Sequence, residues 1–219
     1  MTRWIVTAAL SAFIASCVGC GNTDAVARHG QDGSVLLEAR KSFTYQGKPI
    51  PPFFLADFHG GDEAPDFWLR ETGDRIAAVA VEGLFFTRDG SYADASVTMG
   101  DFVRFSLPGD DGRDRLNFGY RFLGTSPSGV TVLEYYGNTG GSGTPIGIVL
   151  VRFEIETVGA TRAEKRERLV MRFIGEYCWG DRVYRDAELD GNVLKLGPMH
   201  THIPAYQVGL EPAREVVLE

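Results

Sequence analysis

Three histidines have the types and spacing for metal chemistry. GPMHTHIPAY places His200 and His202 two residues apart. On a strand, such neighbours project from the same side, so both imidazoles can reach one ion. LADFHGGDEAPDF adds His59, with Asp57, Asp62 or Glu63 as oxygen donors. Zinc accepts that mixture and, with an open position, activates water for hydrolysis. A metal-dependent hydrolase built on His200, His202 and His59 is therefore one expectation. The simpler account of H-x-H is a pair of surface histidines near a C-terminal strand, because the spacing supplies no third ligand.

Other chemistry is less well supported. Asp110, Asp111 and Asp114 in GDDGRD offer oxygens for calcium. They do not follow the D-x-[DN]-x-[DN]-G pattern of a calcium loop, and Asp and Gly are turn residues for backbone reasons. Glu154 and Glu156 project from one strand face, as do Asp186 and Glu188. Paired carboxylates serve glycosidases only when fixed across a cleft. Cross-strand pairing, for example Glu154 with Arg172, is the reading preferred here. YYGNTGGSGTPIG lacks the patterns of phosphate and dinucleotide loops. There is no G-x-S-x-G elbow, and Cys178 has no base nearby in sequence. No catalytic apparatus is evident.

The aromatic residues suggest binding instead. Trp68, Tyr135, Tyr136, Tyr177 and Trp179 can stack on apolar ligand faces such as those of sugars. Most fall on the expected core side. Tyr136 points opposite to Tyr135, so Tyr136 and Trp68 are the candidate ligand-binding residues, with a carbohydrate or a protein of the cell envelope as partner.

These residues are carried by strands. From Ser34 onward the dominant period is two. RLNFGYRFL puts Leu116, Phe118, Tyr120 and Phe122 on one face, and IVLVRFEIET does the same for Val149, Val151, Phe153 and Ile155. RLVMRFIGEYCW groups Leu169, Met171, Phe173, Tyr177 and Trp179. Such alternation marks half-buried antiparallel strands. Gly/Asp/Asn clusters at 88–91, 108–114, 137–143 and 189–192 read as hairpin turns. Only 160–169 has helical character, as a charged hairpin tip or one short helix. The expected fold is all-β, an antiparallel sandwich of jelly-roll type, with a closed lipocalin-like barrel as the alternative. The barrel would suit a carrier of lipophilic ligands.

Charge narrows the partners. The chain has 22 Lys and Arg against 29 Asp and Glu, a net charge of −7. Nucleic acid and anionic headgroups both call for a basic surface, so neither is an expected partner. The length suits a single core without a disulfide framework. No cofactor is required, zinc being the one to test.

The N-terminus has its own logic. Trp4 to Ala15 is uncharged and follows Arg3. Twelve residues are too few for a span of about 20 and suit the apolar part of an export signal. The next residues, Ile14-Ala15-Ser16-Cys17, resemble the lipobox of bacterial lipoproteins: an aliphatic residue, two small ones, then cysteine. The resemblance implies a diacylglyceryl group on the Cys17 thiol and cleavage before it. Cys20 lacks the aliphatic residue three places earlier. The alternative is an ordinary secretory signal cut nearby, for example after Gly19. Val18, where an Asp would imply inner-membrane retention, favours the outer membrane if the cell has one. The expected organisation is a signal at 1–16, a small polar tether at 17–34 and one β domain at 35–219. Cys20 and Cys178 either pair in an oxidising compartment or stay apart as a tether cysteine and a free thiol. The functional expectation is a lipid-anchored, extracytoplasmic binding or envelope-structural module.

Overall fold

The computed structural model describes residues 32–55, 68–70, 76–85, 96–108, 114–138, 143–159, 161, 165–181, 183–201 and 210–219. The leader, Cys17 and Cys20 lie outside the described residues, as do His59 and His202.

The chain enters through a helix, α1 (Asp32–Ser42), where alternation from Ser34 led us to expect strand. The helix also takes up the last residues of the expected tether. Leu36, Ala39, Arg40 and Phe43 recur at helical spacing, and they face the core. Arg40 and Lys41 occupy the last turn, where cations complement the helix dipole. Phe43 ends the helix with a positive φ of 53°. This is an unfavourable backbone for a residue with a Cβ. Its ring holds it there, buried against Phe54, Tyr120 and Phe153. A small hairpin follows, β1 (Thr44–Tyr45) and β2 (Lys48–Pro49), turned by Gln46 and Gly47, both at positive φ.

The remaining strands are β3 (Trp68–Arg70), β4 (Ile76–Ala80), β5 (Ser96–Met99), β6 (Phe102–Pro108), β7 (Asp114–Thr125), β8 (Val130–Asn138), β9 (Pro145–Val158), β10 (Arg166–Asp181), β11 (Val183–Tyr184), β12 (Ala187–Asp190), β13 (Val193–Leu196), β14 (His200–Thr201) and β15 (Arg214–Val217). Eight form one antiparallel sheet in the order β3-β4-β10-β9-β8-β7-β6-β5. From β5 to β10 the chain is a meander, so the jelly-roll likeness reduces to one long crossing from β4 to the far edge at β5. The sheet is open: β3 and β5 are its ends among the described residues, and the closed barrel does not form.

The two faces have separate cores. On one, α1, β1–β2 and the 3-10 turn Val81–Phe85 cover Phe105, Phe118, Tyr120, Leu133, Val149, Val151 and Phe153. On the other, the sheet β12-β13-β15 and the pair β11-β14 cover Val130, Val132, Ile148 and Leu150. This second sheet layer makes the fold a sandwich. The hairpin read from LDGN is the two-residue turn Gly191-Asn192 between β12 and β13. The charged segment after β9 leads directly into β10, and among its described residues Arg166–Leu169 are strand.

One expected grouping is divided. Leu169, Met171 and Phe173 face the first core, whereas Tyr177 and Trp179 join the second. A register shift between Phe173 and Gly175 inserts a residue, and the side chains that follow change face until a second shift between Cys178 and Gly180. Among the described residues no helix is long and apolar enough to cross a membrane.

Candidate functional site

The second layer covers only part of its face of the large sheet. Val97 and Met99 on β5 remain about half exposed, and an open groove lies between this uncovered margin and β11. It has a volume of 320 Å³, within the lower range of small-molecule sites. Phe102, Arg104, Asn117, Glu134, Tyr136, Thr144, Ile146 and Tyr184 line it.

Strand register explains how residues so distant in sequence meet. Val97 pairs with Arg104, Arg104 with Gly119, Gly119 with Tyr136, and Tyr136 with Ile146. These form one row across five strands. The adjacent row is Met99, Phe102, Arg121, Glu134 and Ile148. Gly119 leaves a gap in the first row, and the Tyr136 ring lies in it: a Cβ on Gly119 would sit 2.4 Å from Tyr136 Cε1. Phe102 packs on the same ring with centroids 5.9 Å apart. The Arg104 guanidinium lies over it, 5.7 Å from the centroid.

The charges are unevenly satisfied. Glu134 is held by Arg121, whose Nε donates to it at 2.9 Å. Arg104 donates to the Met99 sulfur at 3.7 Å, and among the described residues it has no carboxylate partner. Asn117 Oδ1 is shielded from solvent and, among the described residues, accepts no hydrogen bond. An unsatisfied buried acceptor costs about 1–3 kcal/mol, which a turn of the amide toward a ligand's donor would relieve. Aromatic surface, a cation without a carboxylate and an orphan amide oxygen make the groove a binding site in chemical character.

Of the residues expected from sequence, Tyr136 lies in this groove. Trp68 lies in β3, separated from β8 in the sheet by β9, β10 and β4, so the two are not brought together. Tyr135 and Trp179 are buried, as the core reading required. His200 is exposed on β14 and packs on Tyr184, with ring centroids 5.6 Å apart, at the rim of the groove. Among the described residues no three His, Cys, Asp or Glu side chains converge as a metal site. Glu154 and Glu156 are engaged by arginines: Arg172 Nε donates to Glu154 at 2.6 Å, Arg172 Nη2 to Glu156 at 2.5 Å, and Arg168 to Glu156 at 3.2 Å. They are cross-strand pairs, Arg168 directly opposite Glu156 and Arg172 diagonal to Glu154, as preferred from the sequence, and not two carboxylates facing a cleft. Cys178 is exposed, and among the described residues no cysteine pairs with it.

On the opposite face, the Tyr135 hydroxyl donates to the Glu176 carboxylate. Burial first, and then this carboxylate, push the Tyr135 phenol above its usual range.

Sequence reasoning missed Phe102, Arg104, Asn117 and Tyr184. The signal that could have found two of them is the alternation in FVRFSLP, where Val103, Phe105 and Leu107 are the apolar set and Phe102 and Arg104 fall on the other side. Only the register revealed that Arg104 shares a row with a glycine and a tyrosine.

Comparison with known proteins yields no match: no family model, no curated protein and no solved structure is significantly similar to this chain.

Proposed function

We propose that this chain is a binding module of the cell envelope, lipid-anchored through Cys17, with its ligand site in the groove around Tyr136. The observation that carries the reading is the groove itself. Tyr136, backed by Gly119, is presented beside Phe102 and Arg104 where the second sheet layer ends. Sites for small ligands are concave, largely apolar and furnished with a few convergent polar groups, which describes this one. The anchor rests on the lipobox resemblance at Ile14–Cys17 and the uncharged run before it. Val18 supports placement at the outer membrane.

Two experiments test the two halves. Intact mass of the protein extracted from its native membrane should correspond to Cys17–Glu219 plus acyl groups. An unacylated chain beginning after Cys17 would make it a freely secreted protein. Saturation-transfer NMR of the full chain in detergent, with soluble glycan and peptide fragments of the envelope, tests the groove. A fragment should bind the native protein and not Tyr136→Ala. If every bound fragment binds that variant equally, the groove is not the site.

A further inference from the structure

We infer that the groove selects an acidic saccharide, a hydroxylated ring bearing a carboxylate, and that Arg104 is the residue that recognises the acid. The inference rests on the groove being the ligand site.

The first argument is the state of Arg104. Elsewhere on this chain Arg121, Arg168, Arg172, Arg185 and Arg214 each have a carboxylate within 4 Å. Arg104 contacts a thioether and an aromatic ring, and among the described residues no carboxylate. Arg40 and Arg152 likewise show no side-chain carboxylate partner among the described residues, but they donate to the main-chain oxygens of Phe153 and Glu219. Arg104 lines the groove with only the thioether and the ring as its contacts there. Glu134, the carboxylate nearby, is already neutralised by Arg121.

The second argument is geometric. A guanidinium lying over an aromatic ring keeps its edge N–H groups pointing away from the ring. Nη1 of Arg104 donates to the Met99 sulfur, and Nε and Nη2 form the edge left to a ligand. That is the arrangement a planar carboxylate meets with two parallel hydrogen bonds. The Tyr136 ring that carries the guanidinium lies in the space Gly119 leaves, in the same row of the sheet as Arg104.

The third argument concerns the rest of the ligand. The Asn117 side chain lines the groove; among the described residues its covered Oδ1 has no donor, and a turn of the amide would present a polar group to a ligand. The Thr144 hydroxyl also lines the groove. Amide and hydroxyl groups beside Phe102 and Ile146 suit a ring with hydroxyls around its rim and C–H groups on its face. An apolar acid would leave the amide and hydroxyl unmatched, and a neutral sugar would leave Arg104 unmatched. The volume of 320 Å³ suits one or two rings and not a folded partner.

The test is titration of the full chain in detergent with glucuronate and galacturonate, as monosaccharides and short oligomers, against glucose and galactose of equal length. Benzoate serves as an acid without hydroxyls. The acidic sugars should bind at least tenfold tighter than the neutral ones. Arg104→Gln should remove that difference, and Arg104→Lys should restore only part of it. Tyr136→Ala should abolish binding of both. Equal affinity for neutral and acidic sugars, lost in Tyr136→Ala, overturns the inference while the groove remains the site. Full binding of the acidic sugars by Arg104→Gln also overturns it, as does benzoate binding as tightly as they do. If no sugar perturbs the groove but another envelope fragment does in a Tyr136-dependent way, the inference falls and the binding reading stands.

Discussion

Gly119 and Tyr136 face each other across β7 and β8, and the tyrosine ring fills the space a Cβ on Gly119 would need. The ring atoms Cε1, Cζ and Oη all lie within 2.6 Å of that absent carbon. A side chain here must therefore move Tyr136. Because the obstructing atoms are the far end of a half-buried side chain, they can swing away. Gly119→Ala should then cost only about 1 kcal/mol, since strain from overpacking is partly offset by removing a glycine from a strand. Binding at the groove should be lost all the same. A chemical denaturation curve close to native, together with absent ligand shifts, is the expected outcome.

Tyr120 and Tyr135 couple stability to alkaline pH. Tyr120 is buried and donates to the Ile50 carbonyl at 2.7 Å. Burial raises its folded-state pKa above the ordinary value near 10, and burial with Glu176 does the same for Tyr135. With folded pKa values above unfolded ones, the folded chain keeps protons that the unfolded chain releases. The contribution is complete below pH 10 and is lost progressively as pH rises beyond it. Denaturant midpoints should be flat to pH 10 and fall between pH 10 and 11.5. Tyr120→Phe should weaken that fall. At neutral pH it should cost about 1–2 kcal/mol, for the lost hydrogen bond and the stranded Ile50 carbonyl.

Glu156 is the shared acceptor of Arg168 and Arg172. Arg172 also sits directly opposite Arg152 in the register of β9 and β10. Glu156→Gln should leave three cations insufficiently countered on one face. The groups are partly exposed, so the loss should be about 1 kcal/mol or less at low salt. It should shrink as salt rises, because screening weakens the repulsion among the arginines. Urea unfolding at 20 mM and 500 mM salt reads this directly.

Cys178 is exposed on β10. In the native protein an alkylating reagent should label it without prior reduction. Labelling that appears only after reductant, with a mass rise of about 2 Da on reduction, would show that Cys178 is paired with Cys20.

The periodic parts of the fold were legible. Val149, Val151, Phe153 and Phe118, Tyr120, Phe122 alternate because each has only one side of a strand to occupy, and all face the first core. Tyr136 was identifiable as the outward neighbour of a buried Tyr135 for the same reason. Two departures were not legible. Residues 32–42 contain too few apolar positions to separate a period of 3.6 from one of two, and packing against β7 and β9 settles them as a helix. The insertion near Gly175 places Tyr177 and Trp179 under the second layer, although their spacing from Phe173 is even.

By itself the amino-acid order determined an all-β chain, the hairpin turn at 189–192, its acidic balance and the lipobox-like run Ile14-Ala15-Ser16-Cys17. Each of these is written in neighbouring residues, through alternation, turn propensity or charge. The tertiary structure decided that the sheet stays open, that its two faces carry separate cores, and that Arg104, Gly119 and Tyr136 share one row. Those relations depend on which strands pair and in what register. Register is set by the simultaneous burial of both faces of the sheet, a condition on residues tens of positions apart that no local pattern records.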